Sequence, residues 1–94
     1  MEEKVEHLIK FVKDYVAEDV VIENAGNDGQ FFLLMKTTEA CIAQFEKEIL
    51  SLAREEGYHN AYFCPEPDAH IEYIKNKLGL DWSEDELFVL NCFT

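Results

Sequence analysis

The chain has 94 residues, 48% of them hydrophobic, and twenty Asp and Glu against eight Lys and Arg give a formal charge of −12. That apolar content is too rich for a disordered acidic tail. The charge opposes direct approach to nucleic acid and favours a cationic partner.

The length fits one domain, residues 1–94, with a radius of gyration of roughly 12 Å if compact. Seven Phe, four Tyr and one Trp supply bulky core material. In chain order, Val5, Leu8, Ile9, Val12, Tyr15 and Val16 fall on one helical stripe, which predicts a first helix over residues 2–18. Leading glutamates suit the positive end of its dipole. The β-branched run Val20-Val-Ile22, the segment Asn24-Ala-Gly-Asn-Asp-Gly29 and the apolar run Phe31–Met35 then predict a hairpin over 19–37. A strand apolar on both faces suits the middle of a sheet covered on two sides.

Thr37 or Thr38 caps the next expected helix, with Ile42, Phe45, Ile49, Leu52 and Ala53 as its buried stripe and Gly57 as its stop. Tyr58 to Cys64 reads as a third strand. Pro65-Glu-Pro67 breaks the chain before a third helix, capped by Asp68, burying Ile71, Ile74 and Leu78, and ended by Gly79 with Leu80 folding back on Ile74. Ser83 to Glu86 has capping-box spacing, and Leu87 to Phe93 reads as the last strand. The order is α-β-β-α-β-α-β. Two strand–helix–strand crossovers favour parallel pairing, so the expected fold is α+β (α/β-like), a mixed four-stranded sheet with helices on both faces.

Leu52-Ala-Arg-Glu-Glu-Gly-Tyr58, a strand, and Ile71-Glu-Tyr-Ile-Lys-Asn-Lys-Leu-Gly-Leu80 together resemble the C-terminal half of the GNAT acetyltransferase family, whose run is AxxxG, strand, and a helix ending in KLGF. The resemblance spans about half the chain and implies an acyl-CoA-binding scaffold. The family's glycine-rich pyrophosphate turn would fall at Lys36-Thr-Thr-Glu-Ala-Cys-Ile42, which has no glycine and carries Glu39. The position of the family's tyrosine acid aligns with Lys75, and Tyr73 stands two places away. The resemblance therefore implies a divergent or degenerate acyl-CoA binder.

Other constellations are weaker. His59, Cys64 and His70 are too few and too widely spaced for a structural zinc site. Asn24–Gly29 looks like a calcium loop until its twelfth position, which is Met35 where a bidentate Glu belongs. Cys41, Cys64 and Cys92 are odd in number with no CxxC pair, which fits small buried residues in a reduced, cytoplasmic protein. The acidic N-terminus has no apolar signal core, and no run is long enough to span a bilayer. No catalytic residue, metal or cofactor is expected.

What remains is the charge. No Lys or Arg occurs in Asp14–Met35, between Arg54 and Lys75, or from Leu78 onward. Trp82 stands between Asp81 and Ser83-Glu-Asp-Glu86, either as an aromatic anchor inside an acidic rim or as a lid over the third helix. The expected function is a non-enzymatic acidic binding protein that presents a negative surface to a basic protein partner, in the manner of nucleic-acid-mimic inhibitors and immunity proteins. The expected face is Asp81, Trp82, Glu84, Asp85 and Glu86, with Glu66, Asp68 and Glu72 beside it. A small scaffold that dimerises through an exposed final strand is a further expectation.

Overall fold

A computed structural model describes residues 6–24, 29–65 and 70–94. Its elements are α1 (Glu6–Phe11, continued by a wide π-type turn Val12–Val16), β1 (Asp19–Asn24), β2 (Gln30–Lys36), α2 (Glu39–Glu55), β3 (Tyr62–Phe63), α3 (a π-type helix, Tyr73–Lys77) and β4 (Leu87–Phe93). The order matches expectation, and the radius of gyration is 12.2 Å.

Local chemistry explains the boundaries. The Thr38 hydroxyl accepts from the Cys41 N–H at 3.3 Å and caps α2. Gly57 ends it at φ +99°: the Gly57 N–H reaches the Arg54 carbonyl and the Tyr58 N–H the Ala53 carbonyl, the two bonds of a Schellman close. At the end of α3, Gly79 also has positive φ, but Leu80 reaches back to the Ile74 carbonyl. The bond spans one residue more than a Schellman close because the preceding turn is π-wound. Glu86 closes the expected box, its carboxylate accepting from the Ser83 N–H at 3.1 Å.

The sheet departs from expectation. Its order is β1-β2-β4-β3, and every neighbouring pair is antiparallel, so it is not mixed. β2 and β3 do point the same way, as their helical crossover requires, but β4 lies between them and is antiparallel to both. Pairing decides this. β4 aligns seven residues with β2, Gln30↔Phe93 through Lys36↔Leu87, whereas β3 has only two residues to offer. The expected strand Tyr58–Cys64 is shortened because His59 and Asn60 form a turn. The final strand is thus interior, and dimerisation across its edge has no edge to use.

Alternation sorts the side chains onto two faces. Phe31, Leu33, Met35, Leu90 and Cys92 face Leu8, Val12 and Val16 of the first helical segment and Ile49 and Ala53 of α2, with Tyr58 closing the cluster. Leu34, Leu87 and Val89 face the opposite way and pack with Ile74 and Trp82. Helices therefore cover both faces. Two expected core residues lie outside: Tyr15 is 63% exposed and Leu78 is 39% exposed. The wide turn after Phe11 leaves Leu8, Val12 and Val16 facing inward and rotates Tyr15 off the stripe, against the rings of Phe11 (5.2 Å) and Phe45 (6.4 Å).

Candidate functional site

The register brings three chain segments to one end of the sheet. Asp19 opposes Lys36 and Lys36 opposes Leu87, so the start of β1, the end of β2 and the start of β4 meet there. Backbone bonds tie them: Glu18 N–H to the Lys36 carbonyl and Thr37 N–H to the Glu86 carbonyl, both 2.9 Å. The buried Thr37 hydroxyl donates to the Val16 carbonyl. Next to it, Thr38 opens α2 and places Glu39 in its first turn.

Six acidic residues, Glu18, Asp19, Glu39, Glu84, Asp85 and Glu86, lie on segments that meet at or adjoin this end, and among the described residues Lys36 pairs with two of them. The Lys36 Nζ lies 3.8 Å from Glu18 and 4.0 Å from Glu86. At these distances and exposures each pair contributes at most about 1 kcal/mol. Lys36 therefore offsets little of the surrounding negative charge. The Ser83 N–H, the Ser83 hydroxyl and, more weakly, Lys36 hold the Glu86 carboxyl below its usual range, keeping it ionised.

Of the expected face, Asp81, Glu84 and Asp85 are exposed, and Glu86 is partly so. Trp82 is not an anchor. It is 4% exposed and packs with Leu34, Ile74, Leu87 and Val89 as a lid over the α3 side. An indole so placed offers no area to a partner. Glu72 is exposed at the entry to α3. Glu66 and Asp68 lie outside the described residues. Sequence reasoning missed Glu18 and Asp19, because only the strand register brings them to the end where Glu84–Glu86 stands.

A second cluster crosses the other end of the sheet on the α3 side. Glu23, Phe32, Asn91 and Tyr62 form one row through all four strands. His70 Nδ1 sits 2.7 Å from Glu23 Oε1, with its ring 4.6 Å from Phe32. Buried Asn91 accepts from Gln30 Nε2 at 3.0 Å and donates to the Tyr62 hydroxyl at 2.9 Å. Its polar groups are thereby satisfied inside an apolar strand. A lone Asn within Leu87–Phe93 was the sequence signal for this row.

The remaining candidates separate. His59 is exposed in its turn, Cys64 packs partly buried on the α3 side, and His70 belongs to Glu23. Among the described residues no three His, Cys, Asp or Glu side chains converge as metal ligands. Burial raises the Cys64 thiol and pushes Cys92 up to about 12, so neither presents a thiolate near neutral pH. At Lys36–Ile42, where the family resemblance would seat a pyrophosphate, the Cys41 amide is already taken by Thr38. Among the described residues no helix is long and apolar enough to cross a membrane. A shallow open groove of about 400 Å³ beside α1 and α2 is lined by Phe11, Leu52, Ser51 and charges of both signs. No protein-family signature, curated protein or solved structure matches the chain.

Proposed function

We propose that the protein is a non-enzymatic binding module that presents the acidic end of its sheet to a basic site on a protein partner. One observation carries this reading: the strand register brings Glu18 and Asp19 to the sheet end where the Glu84–Glu86 turn stands, far from it in sequence, and Lys36 pairs there with Glu18 and Glu86. A rigid sheet end carrying concentrated like charge suits electrostatic steering and complementary docking. Fixing the Glu84–Glu86 turn by the Ser83 box lowers the ordering cost on association.

Affinity capture from the native host at low salt, followed by titration of the captured partner, tests it. Binding is expected to weaken at least about tenfold between roughly 50 and 300 mM salt, as charge-steered contacts do. The triple variant Glu18→Lys, Glu84→Lys, Asp85→Lys is expected to abolish most of it. These side chains are exposed and leave the Ser83–Glu86 box intact. Salt-independent binding, or full binding by the triple variant, would remove the reading.

A further inference from the structure

We propose that β1 is a docking edge that takes up an extended basic segment of the partner as a fifth strand. This rests on the acidic docking function above and specifies its mode. β1 is the outermost strand, and among the described residues only β2 pairs with it. Six residues, Asp19–Asn24, give an edge of roughly 20 Å. In an antiparallel ladder alternate residues turn their backbone groups to the neighbour. The Val20 N–H instead donates to the Asp19 carboxylate at 2.9 Å, which marks Val20 and, by alternation, Ile22 as facing outward.

Charge selects the occupant. Glu18 and Asp19 flank this edge at its start, Glu23 further along is engaged by His70, and no Lys or Arg occurs from Asp14 to Met35. A second copy would lay one acidic edge against another in chains of formal charge −12, a repulsive pairing. An incoming strand with alternating character fits. Its basic residues fall on the face of Asp19, and its apolar ones beside Val20 and Ile22, both partly buried against the α1–α2 side. The N-terminal end of β1 opens directly onto the acidic sheet end, so one extended segment would engage both features.

The test uses the full chain and three short synthetic peptides: alternating Lys-Val, alternating Glu-Val, and a Lys-Val peptide interrupted by prolines, which cannot continue a ladder. Calorimetry gives affinity, and amide hydrogen exchange gives location. The Lys-Val peptide is expected to bind at least tenfold tighter than the proline-interrupted one and to slow exchange at Val20 and Ile22. The Glu-Val peptide is expected not to bind. Val20→Pro, which costs no bond to β2, is expected to weaken binding tenfold. If that variant fails to fold, Asp19→Lys at the exposed strand start is expected to do the same. Equal, salt-sensitive binding of both cationic peptides without protection of β1 overturns the edge mode and leaves the acidic docking function standing. No binding by either cationic peptide overturns both.

Discussion

Glu56 shows how one side chain can work against the fold it belongs to. Its Oε1 accepts the His7 N–H at 3.2 Å, tethering the first helical segment to the end of α2, while its Oε2 is buried with no partner among the described residues. Burial raises this carboxyl above its usual range, against the opposing pull of the His7 and Leu8 amides. A carboxyl raised in the folded state binds its proton more tightly there than when unfolded. Its contribution is therefore complete at acid pH and is lost as pH climbs through the raised value. Glu56→Gln keeps an acceptor for His7 and removes the buried charge. Thermal melts are expected to show the difference between variant and parent moving in the variant's favour as pH rises from about 4 to about 7, since only the parent carries the buried charge there. Glu86 has the opposite sign: its lowered carboxyl contributes above its ordinary range, and that contribution is lost as pH falls through the lowered value. Trp82 belongs at this scale too. Its burial makes it a native fluorescence probe, blue-shifted when folded, and Trp82→Ala is expected to cost about 3–5 kcal/mol in denaturant titrations followed by circular dichroism.

At the scale of elements, the punctuation residues proved readable and the pairings did not. Thr38, Gly57, Gly79 and the Ser83–Glu86 box act within one turn of where they stand, so spacing alone locates them. The hairpin was equally plain, because a single short connection joins β1 to β2. Sheet order depends instead on competition between distant strands. Nothing in Leu87–Phe93 says that it enters between β2 and β3, since its apolar composition suits any interior slot. The same limit hid the acidic end, where Glu18 and Glu86 meet only through that arrangement. Tyr15 escaped for a different reason: a stripe drawn at 3.6 residues per turn fails where the backbone winds wider. The cap itself is testable. Thr38→Ala is expected to lower stability by about 1 kcal/mol by leaving an amide of the first turn unsatisfied, measured by urea unfolding with an unchanged m-value.

For the whole molecule, like charge is a cost that the core must offset. With a formal charge of −12 on 94 residues, self-repulsion is carried into the folded state, and α2 alone exposes Glu39, Glu46, Glu48 and Glu55. Raising sodium chloride from about 10 to 300 mM contracts the Debye length from roughly 30 to 6 Å. The melting temperature is expected to rise with it. A melting temperature that falls or stays level would mean that the ion pairs of Lys10 and Lys36 outweigh the repulsion, contrary to their exposure.

The interior position of β4 also bears on synthesis. While the ribosome is still making residues 87–93, β2 has only the β1 hairpin beside it, and β3 has no neighbour to hold its two residues in place. Both cores then lack one wall, with Phe31, Leu33 and Leu34 uncovered along a bare strand. Nascent chains halted before Leu87 should accordingly be protease-sensitive and recruit chaperones, and protection should arrive in a single step once β4 clears the exit tunnel.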